Sequence, residues 1–168
     1  MFIRLLLLFF SDQAKGPFTP ESKPDAGEGY GLEKRLAEDR VFFQNNDAKV
    51  IRLGWQIGSE KGTNNMVDWI ETKLASDGVV ACSIKWLPAC SFVEDTAKVL
   101  GSLIGKAPGL YHVDSNQSWS FYQIVFALNQ KLGRKWRIIA SDSLVYDQRM
   151  LDPRVAAPSL KEHLPSLK

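Results

Sequence analysis

Segments patterned as strands alternate along this chain with segments patterned as helices of about 10–15 residues. Parallel strands need long crossover connections, and helices usually supply them. The alternation therefore predicts an α/β fold whose sheet is at least partly parallel. The predicted strands are 49–53, 79–83, 110–113 and 135–140, and the predicted helices are 30–45, 64–75, one ending at 104 and one ending at 132.

Residues that stop and start helices support this pattern. Gly78 stands where the second helix should end, because glycine accepts the left-handed conformation that follows a last turn. Ser91 and Glu94 have capping-box spacing at the start of the next helix. Ser118 is the expected N-cap of the helix that Gly133 closes.

The chain opens on an apolar run, Leu5–Phe10, behind Arg4. The run is about half the length needed to span a bilayer, and no small-x-small cleavage site follows it. It predicts a strand buried on both faces in the middle of a parallel sheet, with a signal-like segment as the alternative. A central strand so early indicates the later part of a larger fold, and an open sheet edge of this kind invites a homodimer or a missing amino-terminal half as partner.

Length and composition narrow the classes of protein to which this chain could belong. The 168 residues are 45% apolar, enough for one buried core, which excludes a disordered chain. Lys and Arg number 21 against 19 Asp and Glu, a net charge of +2 that predicts neither a nucleic-acid nor a membrane surface. Cys82 and Cys90 allow at most one disulfide, so we expect a reducing, cytoplasmic location. His112 and His163 lack ligand-spaced partners, and no metal site is predicted.

The candidate for chemistry is the pair Tyr30 and Lys34. Residues four apart share a helix face, and an ammonium beside a phenol favours the phenolate and so eases proton release. The same spacing also occurs on solvated helix faces. The sequence contains no G-x-G-x-x-G turn and no P-loop, and the glycines of 27–31 indicate a flexible loop end.

Motifs around this pair extend along most of the chain. In order they are 9–24, Tyr30-Gly-Leu-Glu-Lys34 with Glu38, 51–58, 91–97, 109–113, Ser118-Trp119 and 151–154. Together they resemble the extended short-chain dehydrogenase/reductases, and the nearest branch is the dTDP-4-dehydrorhamnose reductases.

That resemblance implies a partial Rossmann-like parallel sheet with a small α/β substrate-binding region. Residues 1–58 would be the remnant of the NAD(P)-binding domain, and 59–168 mainly the substrate-binding region with returning Rossmann elements. Tyr30 would protonate the 4-keto oxygen of a dTDP-sugar, Lys34 would bind the nicotinamide ribose, and Trp55 would line the sugar pocket, with NADPH or NADH as cofactor. Ordinary core packing is the alternative role of Trp55.

Two departures from the branch bear on activity. The glycine-rich cofactor turn is absent, and the family's substrate-binding Ser or Thr falls at Leu6, which donates no hydrogen bond. The expectation is a truncated reductase that is inactive and binds cofactor poorly by itself. The alternative is a non-catalytic sugar-nucleotide-binding or regulatory protein, resembling the methionine adenosyltransferase regulatory beta subunit.

Overall fold

The computed structural model describes residues 2–5, 9–11 and 14–167. The strands are β1 (Phe2–Leu5), β2 (Lys49–Leu53), β3 (Trp55–Ile57), β4 (Val80–Leu87), β5 (Cys90–Phe92), β6 (Gly109–Val113) and β7 (Ile138–Asp147). The helices are α1 (Gly29–Gln44), α2 (Met66–Asp77), α3 (Val93–Leu103), α4 (Phe121–Lys131) and α5 (Leu160–His163). The α/β expectation is confirmed.

The main sheet has the order β1-β2-β6, and all its strands are parallel. In register, Ile51 of β2 lies between Ile3 and Tyr111. The first strand was expected over 5–10 in mid-sheet. The structure instead gives β1 as residues 2–5, leaves residues 6–8 outside the described part, and places Phe9 and Phe10 in a buried bend. In the part of the chain that is described, β1 pairs along one edge only.

Two smaller parallel pairs complete the strands, β3 with β5 and β4 with β7. The strands β3 and β5 were not predicted, because three residues are too few to show a period-two pattern. The strand β7 runs from Ile138 to Asp147, well beyond its predicted end at 140. Pairing with β4 extends it, since the ladder continues past a bulge to the end of both strands.

The predicted second helix is confirmed, although it begins and ends two residues later than the predicted 64–75. The Asn65 side chain accepts a hydrogen bond from the Asp68 amide at 3.0 Å and caps the start of α2. At the other end Gly78 has φ 71° and its amide bonds the Leu74 carbonyl. A left-handed glycine therefore ends this helix, as the sequence indicated.

Two predicted N-caps were wrong. The cap of α4 is Ser120, which shares a capping box with Gln123, and Ser118 lies before it. Because Ser120 has a partner three residues on that can bond back to it, it is the better cap. The residue before α3 is Phe92, with no side-chain cap, while Ser91 belongs to β5.

The largest core cluster contains Trp55 and Phe121, with Trp86 packed against it, and these three rings have centroids 4.8–6.4 Å apart. The short helix α5 closes this core with Leu160, which is fully buried. Among the described residues, no helix is long and apolar enough to cross a lipid bilayer.

Gly54, the residue between β2 and β3, lets its backbone pass close to the backbone of Ala89. A Cβ built on it would lie 2.4 Å from the carbonyl carbon of Ala89, which cannot move aside as a side chain would. We expect Gly54→Ala to lower the free energy of unfolding by about 3 kcal/mol. The matched control is Gly101→Ala in helix α3, where a Cβ meets nothing within 4 Å. Urea unfolding should show that control unchanged or slightly stabilised, and equal losses would contradict the close approach.

Candidate active site

Helix α1 brings the two predicted residues together. The Lys34 Nζ atom lies 4.5 Å from the centroid of the Tyr30 ring. Tyr30 is 46% exposed, so its phenol is open to a ligand from solution. The spacing predicted from the sequence thus produces a direct contact between cation and phenol ring, while the catalytic roles of both residues remain predictions.

An open cleft of about 660 Å³ lies beside Tyr30. Its walls are Phe10 and Ser11, which follow β1, and the segment 26–31 at the start of α1. In open α/β sheets ligands bind beyond the carboxyl ends of the strands, and two residues that line this cleft, Phe10 and Ser11, come after β1 in the chain. The sequence had assigned neither Phe10 nor Ser11 to a site.

Ser11 is held in place by Asp25. Its amide and its hydroxyl donate to the two carboxylate oxygens of Asp25, at 2.6 and 2.7 Å. These bonds lower the pKa of the Asp25 carboxyl, chiefly through the hydroxyl of Ser11. One wall of the cleft therefore carries a fixed hydroxyl backed by a carboxylate.

A buried ion pair joins helix α1 to the sheet. Arg52 of β2 donates to both carboxylate oxygens of Glu38, at 2.7 and 3.0 Å. The side chains are 1% and 9% exposed, so the pair is shielded from water. Since Glu38 lies on the same helix as Tyr30 and Lys34, the pair fixes that helix over β2.

The Arg52 guanidinium also contacts His112 on β6, the strand that pairs with β2. Its Nη1 atom lies 3.4 Å from Nε2 of His112. Because arginine only donates, Nε2 must accept, which places the imidazole proton on Nδ1. Burial, and then the charge of Arg52, lower the pKa of His112 to about 4. His112 is therefore a neutral, buried partner of Arg52, in line with the packing role expected for it.

This neutral histidine makes stability depend on pH. Its pKa is about 4 in the folded chain and about 6.5 when unfolded, so only the unfolded chain takes up the proton between those values. Its contribution is present above pH 6.5 and is lost as the pH falls towards 4. We expect the stability difference between the chain and His112→Gln to shrink by up to about 3 kcal/mol over that window, measured by urea unfolding at several pH values. A difference independent of pH would contradict the assignment.

Asp114, at the carboxyl end of β6, makes the stability depend on pH in the opposite direction. Burial raises the pKa of Asp114 to about 7. The amides of Cys90, Asn116 and Met150 hydrogen-bond its carboxylate at 2.8–2.9 Å and lower this pKa, but by less than burial raises it. A raised carboxyl pKa costs stability as the pH rises from 4 to 7. The comparison with His112→Gln cancels this contribution, because Asp114 is present in both chains.

Trp55 lies in the core, separate from the Tyr30 cleft. It is 7% exposed, and Trp86 and Phe121 stack on it at 6.4 and 6.0 Å between ring centroids. Its indole nitrogen donates to the Asn64 carbonyl at 3.1 Å. The cavity beside it measures about 10 Å³, room for one water molecule. Packing thus accounts for the observed position, and the sugar-binding role stays a prediction.

Other residues considered from the sequence have different positions. Leu6 lies outside the described residues. Cys82 and Cys90 are buried free thiols, and burial raises the pKa of Cys82 to about 12. His163 bonds the buried carboxylate of Asp95 at 2.7 Å. No group of three potential metal ligands occurs in the part of the chain that the structure describes.

Comparison with solved structures decides the fold. The dTDP-4-dehydrorhamnose reductase of Bacillus anthracis, solved in complex with NADP, superposes with a TM-score of 0.78 at 18% identity over 99% of this chain. The chain has the Rossmann-like fold of that reductase. The reductase of Yersinia enterocolitica gives a TM-score of 0.72 at 19% identity over 98% of this chain. The resemblance noted in the sequence is thereby confirmed at the level of fold.

Sequence comparison adds one curated relative. The spore coat polysaccharide biosynthesis protein SpsK of Bacillus subtilis is 22% identical over 144 residues, 86% of this chain. No family model matches the chain. The chain spans 50% of SpsK and 63% of the B. anthracis reductase, so it corresponds to only part of each.

Proposed function

We propose that the chain is the catalytic-helix and substrate-binding portion of a nucleotide-sugar reductase, which reduces the 4-keto group of a dTDP-sugar with NADPH or NADH. The observation that carries this proposal is the contact of Lys34 with Tyr30, which lines an open cleft. The shared fold supports it, because the neighbours with that fold are named dTDP-4-dehydrorhamnose reductases.

In this proposal Tyr30 donates its phenolic proton to the keto oxygen. Lys34 stabilises the phenolate that is left, since an ammonium against the ring lowers the energy of the anion. The nicotinamide cofactor, when bound, supplies the hydride. The fixed Ser11 hydroxyl, whose own proton goes to Asp25, is placed to accept a hydrogen bond from a sugar hydroxyl.

The described residues fit one end of the dinucleotide. Tyr30 lines a cleft wide enough for a nicotinamide ribose, and the Lys34 ammonium contacts its ring. The 168 residues contain no G-x-G-x-x-G turn to hold a pyrophosphate. We therefore assign to this chain contacts with the nicotinamide ribose alone, through Lys34 and Tyr30.

Three further assignments belong to the same proposal. Residues 1–58 form the cofactor-side unit, and 59–168 form mainly the substrate-binding unit. Trp55 lines the deep end of the sugar site. The protein works in the cytoplasm, where its two free cysteines stay reduced.

The test is NADPH oxidation followed at 340 nm with a dTDP-4-dehydro sugar. It should be run with the chain as it is and with a chimera that places the amino-terminal part of the B. anthracis reductase ahead of it. Turnover in the chimera supports the proposal. A folded chimera that binds NADPH and dTDP-sugar without turnover would overturn it in favour of the regulatory alternative.

A further inference from the structure

Two cavities in this chain share one side chain as a wall. Phe10 lines the cleft of about 660 Å³ beside Tyr30. It also lines the cavity of about 10 Å³ beside Trp55, together with Phe18 and Tyr146. Phe10 is therefore common to the surroundings of Tyr30 and of Trp55.

Phe10 is held where it is by aromatic and cationic neighbours. Its ring stacks on that of Phe18 with centroids 3.7 Å apart and planes at 3°. The Arg52 guanidinium lies 5.9 Å from its centroid. The Tyr146 hydroxyl donates to the Phe10 carbonyl at 3.3 Å. These contacts stabilise the closed position, so opening it has a cost that a ligand must offset.

We propose that Phe10 is a specificity-determining residue that closes the Tyr30 cleft off from Trp55. This inference rests on the proposed function, because it takes the ligand to be a nucleotide sugar. A ligand that displaces the Phe10 ring would contact both Tyr30 and Trp55. Its apparent affinity is the intrinsic affinity multiplied by the fraction of molecules in which Phe10 is open.

The test measures binding of dTDP-glucose to the full chain by calorimetry. We expect Phe10→Ala to bind it about tenfold more tightly, because no ring has to be displaced. Phe9→Ala is the matched control: Phe9 is equally buried and lies nearer Arg52, with 4.6 Å to its centroid, but lines neither cavity. Binding of dTDP, which lacks the sugar, should not change. Affinity for dTDP-glucose that falls or stays constant in Phe10→Ala would overturn the inference.

A second measurement separates this inference from the proposed function. Acrylamide quenching of Trp55, taken as the difference between each chain and its Trp55→Phe counterpart, should increase in Phe10→Ala and in Phe10→Leu but not in Phe9→Ala. If quenching increases while no chain binds dTDP-glucose, the role of Phe10 in shielding Trp55 is supported and the proposed substrate is wrong. If quenching does not increase, the proposal that Phe10 shields Trp55 is refuted. Melting temperatures of all variants identify any that have lost the fold.

Discussion

Arg52→Met is expected to lower the free energy of unfolding by about 3–5 kcal/mol, because it leaves the Glu38 carboxylate buried without its partner. The substitution also removes the donor to Nε2 of His112. Guanidinium unfolding followed by circular dichroism measures the loss.

The double variant Glu38→Met/Arg52→Met tests the cause. It removes both charges and keeps apolar volume, so most of the lost stability should return. Lys73→Met is the control for charge loss in an exposed pair, where both side chains are more than 40% exposed, and it should cost less than about 1 kcal/mol. A double variant no more stable than Arg52→Met would show that the charge left on Glu38 is not the source of the loss.

Tyr30→Phe is expected to reduce turnover of the chimera at least about 100-fold, the usual contribution of a positioned proton donor. The fold should be unaffected, since the ring that Lys34 contacts is retained and the side chain is 46% exposed. The rate of NADPH oxidation at saturating dTDP-4-dehydro sugar measures the effect.

Tyr122→Phe is the matched control, because Tyr122 is a tyrosine on α4 that packs beside Phe126, away from the cleft residues. Its turnover should equal that of the unmodified chimera. Normal turnover in Tyr30→Phe would remove the phenol from the mechanism.

Local rules predicted much of the fold from the sequence. Gly78 ends α2 because left-handed backbone favours glycine, and Lys34 meets Tyr30 because helical residues four apart share a face. The same rules missed Ser120 as a cap, since Ser118 offers an equal hydroxyl two residues earlier. Gln123, three residues after Ser120, completes a capping box there, a local signal that the choice of Ser118 overlooked.

The parts of the site that were missed arise from contacts distant in sequence. Arg52 and Glu38 lie 14 residues apart, and Arg52 and His112 lie 60 apart, so no spacing rule joins them. Trp55 was assigned to a sugar pocket from its motif, while its burial depends on Trp86 and Phe121, which come from other elements. Phe10 acquires its position only when the strand end and the start of α1 come together.

The most direct test of the central claim is a titration of NADPH into the chimera, followed by tryptophan fluorescence and cofactor emission. The proposed site predicts saturable binding that Lys34→Met weakens and Lys73→Met, at an exposed helix position, does not. Absence of binding up to millimolar cofactor, or equal binding by both variants, would contradict a nicotinamide site at Tyr30 and Lys34.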